Sequence, residues 1–250
     1  MLDNRYPTMD SKKTTITFKS VYMIGAVSTI IALCGIILDI VTGAMTGGNI
    51  ASLPSDVTTW FALLHSNPLL GLYRLDLLNS INQILLIPSI FALFIAQKER
   101  NGNALLALIL FLVGSSILIS GNTALTMLDL SSKYDSTSSE EQRNLILAAG
   151  EAMLSKGKHG SLSVFIGFTL PTMATMWMSI VMLREHVFSR LTSFAGIAGS
   201  LGVLFHVFLV TFSRIHDDLA LIIAIPAGLL IMLWMILYMI TFLRLAQSDS

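Results

Sequence analysis

Six stretches of the chain run for about 20 or more positions with scarcely a charge, and polar residues crowd the segments between them. A hydrocarbon layer on the order of 30 Å thick, crossed by a helix rising ~1.5 Å per residue, requires runs of this length. The pattern predicts transmembrane helices at Val21 to Met45, Leu69 to Ala96, Ala104 to Leu128, Ser161 to Leu183, Thr192 to Ser213 and Leu219 to Leu243. Strands are excluded, because an open sheet edge in lipid leaves backbone groups unpaired. The predicted class is therefore all-α: a polytopic membrane bundle of six helices over 21–243, with a cytoplasmic tail at 1–20 and another at 244–250. The first run is longer than the roughly 7 to 15 apolar residues of a cleavable leader, so it reads as a retained signal anchor.

The segments between spans set the orientation. Arg5, Lys12, Lys13, Lys19, Lys98, Arg100, Arg184, Arg190 and Arg244 fall on one side, nine basic residues against five in the longer loops of the other. Cytoplasmic segments collect lysine and arginine, which places both termini inside and the long loops outside. Two outside loops carry helix signals. Ser55 and Asp56 can cap a helix in which Val57, Trp60, Phe61 and Leu64 recur at i, i+3, i+4 and i+7; it is expected in the membrane interface with its aromatic face down. Ser139 and Gln142 have capping-box spacing and open a second helix reaching about Ser155. Asn67 and Pro68 read as cap and first residue of the second span. Pro88, Pro171 and Pro226 fall inside spans, where they kink helices that their neighbours re-satisfy.

Composition narrows the function more than it names it. Charged residues make up 12% of the chain, about half the share of a soluble domain, and the mean hydropathy is +0.76. Fifteen basic and fifteen acidic residues cancel, so there is no basic surface for nucleic acid. The single cysteine, Cys34, lies in an apolar run and allows neither an internal disulfide nor a thiol pair for a metal.

The stretch Gly71-Leu72-Tyr73-Arg74-Leu75-Asp76-Leu77-Leu78, the stretch Ser189-Arg190-Leu191-Thr192-Ser193-Phe194-Ala195-Gly196-Ile197-Ala198-Gly199, and Trp234 in the last span resemble an uncharacterised family of small six-helix prokaryotic membrane proteins, domain of unknown function 4386. The resemblance runs from span one to span six and implies that fold, with no activity attached. Ser189 stands where the family pattern has a proline.

Candidate chemistry lies in polar residues toward the outer ends of the spans. Asp39 is late in span one; Arg74, Asp76, Asn79 and Gln83 are early in span two; Asn122 and Asp129 are late in span three; His206 is toward the end of span five. Asp76, Asn79 and Gln83 share a helical face, as do Ser115, Asn122, Thr126 and Asp129, and such stripes should turn inward, away from lipid. His206 follows Gly196, Gly199 and Gly202, a small-residue surface that lets helices approach, and should point into the bundle. Against this stands a plainer reading: Arg74, Asp39, Asp76 and Asp129 as interfacial charges in contact with water, and the deeper amides and His206 as interhelical hydrogen bonds. His206, His216 and Asp217 could form a zinc set only if the helix ends between them, because ten residues of one helix would separate 206 from 216 by about 15 Å. Met173, Met176, Met178 and Met182 read as adaptable packing between helices.

These residues predict an outward-opening polar pocket between spans one, two, three and five, its rim closed by the two loop helices. The leading expectation is a multi-pass protein of the cell membrane that binds or transports a small or amphiphilic ligand, with membrane lipids as its surroundings and no cofactor. The alternatives are a membrane hydrolase using His206 with an outer aspartate, and a structural or partner-binding subunit.

Overall fold

A computed structural model describes residues 18–46, 53–97, 102–158, 160–185, 187–213 and 217–248. The described residues are helical almost throughout: α1 (Phe18–Thr46), α2 (Val57–Ser66), α3 (Pro68–Arg74), α4 (Leu77–Gln97), α5 (Asn103–Gly121), α6 (Ala124–Ser136), α7 (Glu140–Gly157), α8 (Leu162–Glu185), α9 (Arg190–Phe212) and α10 (Asp217–Ser248). Six segments are long and apolar enough to cross a membrane, and α1, α4, α5, α8, α9 and α10 form their apolar parts. Large apolar side chains such as Ile24, Ile31, Leu38, Leu105, Phe205 and Leu229 cover the outside of this bundle. A surface of that kind is costly in water and natural against lipid.

The six long helices close into a ring in chain order. α1 packs on α4, α4 on α5, α5 on α8, α8 on α9, α9 on α10, and α10 returns to α1. Contacts between neighbours run in opposite directions along the chain. On α5, Gly114 faces Leu170 and Pro171 of α8, and Gly121 faces Ser163; on α9, Gly196 faces Trp234 of α10, and Gly202 faces Ala227. Neighbouring helices are thus antiparallel, and the first and last described residues lie at the same end.

Glycine is what lets these pairs approach. A Cβ on Gly114 would stand 2.7 Å from Leu170 Cβ and 2.8 Å from Pro171 Cγ, and one on Gly196 would stand 2.7 Å from Trp234 Nε1. In lipid, where apolar contact gains nothing over the solvent, such close packing and buried hydrogen bonds hold helices together. The seam between α1, α4 and α10 uses the second device. Thr29 Oγ1 and Ser89 Oγ are 2.7 Å apart, Ser89 Oγ donates to Tyr238 Oη at 2.8 Å, and all three side chains are buried. Ser28 Oγ adds a bond to the Leu85 carbonyl beside them.

At the end away from the termini, α2, α3, α6 and α7 make a helical cap. Asp56 caps α2: its carboxylate accepts from the Thr58 hydroxyl, and from Thr59 through N–H at 2.9 Å and hydroxyl at 2.8 Å. These bonds hold the Asp56 carboxyl down at about 2. Ser139 caps α7 by accepting from Gln142 N, as its spacing predicts.

The aromatic face of α2 does not point toward the membrane. Val57, Trp60, Phe61 and Leu64 are all buried in a second hydrophobic core, against Met127 of α6 and with Leu72, Leu75, Ile146 and Leu147 around them. The Ser131 hydroxyl donates to the Phe61 carbonyl at 3.0 Å, tying α6 to α2. An amphipathic stripe records only that a face is buried; here protein covers it.

Two span boundaries also differ from the hydropathy pattern. The second apolar run is broken at Leu75–Asp76, so α3 is separate and the membrane helix begins at Leu77. The third is broken at Asn122–Thr123, so α5 ends at Gly121 and Asp129 belongs to α6. Leucine-rich sequence continues across both breaks, and hydropathy therefore does not register them.

Candidate functional site

The two helix breaks face one another. Asp76 adopts a left-handed backbone with φ 65°, the single non-glycine residue to do so among the described residues. That turn redirects the chain from α3 into α4. Asn122 serves the other break, with Nδ2 donating to the Leu75 carbonyl at 3.0 Å and Oδ1 accepting from Ala124 N at 3.0 Å. One amide side chain thus satisfies backbone groups at both interruptions, which would otherwise go unpaired. Arg74 ends α3, and its Nη2 donates to the Thr46 carbonyl at the end of α1 at 2.9 Å. A cation among the last carbonyls of a helix is favourably placed against the helix dipole.

Above the breaks, between cap and bundle, lies a cavity of about 420 Å3. Arg74, Leu75, Asp76 and Thr123 line one side, Glu151, Leu154 and Ser155 of α7 with its C-cap Lys158 another, and Trp60, Leu53 and Val164 supply apolar surface. A second hollow of about 540 Å3 lies on the other side of α3, where Leu38, Leu69, Leu70, Tyr73, Leu78 and Ile81 form an apolar groove between α1, α3 and α4. Tyr73 Oη donates to the Asp39 carbonyl at 2.9 Å beside it.

The residues singled out from sequence therefore divide. Arg74 and Asp76 line the cavity, and Asn122 holds its floor. Gln83 is an interhelical tie, its Nε2 donating to Ser115 Oγ at 2.8 Å, and Asn79 is half-buried on α4 without lining either hollow. Asp39 is exposed on α1. Asp129 is exposed on α6 and pairs with Lys133 one turn along at 2.6 Å, so the expected stripe with Ser115 and Asn122 is broken. His206 is half-buried on α9, whose packing partners are α8 and α10, while Asp39 is on α1 and Asp129 on α6. Neither Asp39 nor Asp129 is therefore on a helix that packs against α9, and the cavity that Arg74 and Asp76 line lies beneath the cap.

Arg214, His216 and His159 lie outside the described residues. Among the described residues no three of histidine, cysteine, aspartate and glutamate gather closely enough to hold a metal ion. Glu151, Ser155 and Lys158 were not singled out from sequence. Their signal was the i, i+3, i+4 spacing of Glu151, Leu154 and Ser155 on α7, which puts one mixed face of that helix over the cavity, with Lys158 at its C-cap.

Fold and cavity together describe a multi-pass helical membrane protein with a chamber of mixed charged and apolar lining under a helical cap. Comparison of the chain with protein-family models, with curated proteins and with solved structures gave no match.

Proposed function

We propose that this chain is a non-enzymatic binding protein of the cell membrane, which takes a small or amphiphilic ligand into the chamber beneath its cap. The observation that carries this reading is the chamber's lining: two charges of each sign around apolar walls, at a place where two helix breaks are tied together. Ligand sites commonly combine an apolar lining with a few placed polar groups. The left-handed Asp76 supports the reading, since backbone strain worth about 1 kcal/mol or more persists where the surroundings over-determine it, as they do at ligand clamps. The apolar groove on the other side of α3 supports an amphiphile.

Native mass spectrometry of the detergent-purified protein tests this. Wild type carries a small-molecule adduct, and Ser155→Trp, which fills the chamber from an exposed position on α7 without touching either core, loses it at unchanged melting temperature. An adduct of equal occupancy in both proteins, or in neither, defeats the reading.

The orientation belongs to the same proposal. Basic residues gather at the end that holds the termini, which puts that end in the cytoplasm and the cap outside. In a Cys34→Ser background, cysteines at Ser136 of the cap and at Gln247 near the end of α10 react with an impermeant maleimide from opposite faces of the membrane. Reaction of both from one face would remove the six-span topology.

A further inference from the structure

On α6, Asp129 and Lys133 stand one turn apart and neutralise each other at 2.6 Å. On α7 and at its C-cap the charges that line the chamber are arranged otherwise. Glu151 lies on α7 and Lys158 is the residue that caps its C-terminal end, seven positions on, so about 10 Å along the helix axis separates them. Both side chains are exposed, and neither has a hydrogen bond or ion pair to a described residue. Between them the same face presents Leu154 and Ser155, and the chamber adds the indole of Trp60, a surface on which cations rest favourably. The chamber therefore has an anionic and a cationic station at opposite ends of one wall, too far apart to satisfy each other.

From this spacing we propose that the ligand is a zwitterion, with its cationic group at Glu151 and its anionic group, a phosphate or carboxylate, at Lys158. The inference rests on the reading of the chamber as a ligand site. A molecule carrying a single charge engages one station and leaves the other to solvent, whereas a zwitterion occupies both with charge-assisted hydrogen bonds. The chamber of about 420 Å3 suits a compact headgroup or a free small molecule.

Calorimetric titration of the full chain in a non-ionic maltoside detergent distinguishes the possibilities with four probes: glycerophosphoethanolamine, its dioctanoyl lipid, glycerophosphoglycerol and ethanolamine. The two zwitterions bind wild type at least about tenfold more tightly than either singly charged probe, the scale of one charge-assisted contact. Glu151→Gln and Lys158→Gln each abolish that preference, and the swap Glu151→Lys with Lys158→Glu restores it; both positions are exposed, so melting temperatures stay at wild type. Tighter binding of the lipid than of the free headgroup assigns the site to a lipid, and equal binding assigns it to a soluble zwitterion. Glycerophosphoglycerol or ethanolamine binding as tightly as the zwitterions overturns the proposal while leaving a ligand chamber in place. Binding of none of the four, in a protein whose native adduct still depends on Ser155, overturns it likewise; loss of that dependence removes the chamber reading as well.

Discussion

Gly114→Leu lowers the melting temperature of the purified protein by about 6 to 12 °C, corresponding to roughly 3 kcal/mol of overpacking at a site with nowhere to relax. The neighbours that a side chain would meet at Gly114 are the ring of Pro171 and the Cβ of Leu170, which cannot swing aside as the end of a flexible side chain does. α5 and α8 must then separate, and their contact is the widest between any two helices of the ring. Gly228→Ala on α10 is the control. Nothing lies within 4 Å of a Cβ built there, so the substitution is neutral or stabilises by up to about 1 kcal/mol through helix propensity. Equal melting temperatures for Gly114→Leu and wild type would mean that α5 and α8 do not pack as described.

The second large effect is expected in the cap. Phe61 is 2% exposed and sits in a hydrophobic core of its own, separate from the one that holds the bundle. Phe61→Ala removes about 3 to 5 kcal/mol from that core. The cap's other ties are scattered polar bonds, among them the Ser131 bond to the Phe61 carbonyl, the Asn122 bonds, the Arg74 bond to the Thr46 carbonyl, the Tyr73 bond to the Asp39 carbonyl and the Lys156 bond to the Ser120 carbonyl at 3.0 Å. Limited proteolysis of Phe61→Ala therefore cuts rapidly at residues 137–139, between α6 and α7, while the fragments on either side keep the bundle assembled in detergent. Were the α2 face in the membrane interface, the same substitution would leave protease sensitivity unchanged.

That contrast shows where the chain is legible and where it is not. Hydropathy locates the six segments that are long and apolar enough to cross a membrane, because lipid acts on every residue of a span alike. Asp56 and Ser139 announce α2 and α7 because a cap is a local bond, made within three residues. The breaks at Leu75–Asp76 and Asn122–Thr123 are different: each lies in a continuing apolar run, and the bond that joins them links residues 47 positions apart. The same limit applies to the aromatic face of α2, whose periodicity implies a covering but does not say whether lipid or protein provides it. Arg74, Asp76 and Asn122 stood out as polar residues in apolar surroundings. Glu151 and Lys158 lie in an ordinary charged helix, and only the fold turns their face onto a chamber.

Because each long helix neighbours the next in the sequence, the bundle can be assembled in the order in which a ribosome delivers it, one antiparallel hairpin after another. The exception is the seam where α10 meets α1. Until the last helix arrives, Thr29 and Ser89 have each other but not Tyr238, and the flank of α1 that carries Tyr22 faces lipid instead of Phe242. A nascent chain of five spans thus displays hydroxyl groups inside the bilayer that the finished protein conceals.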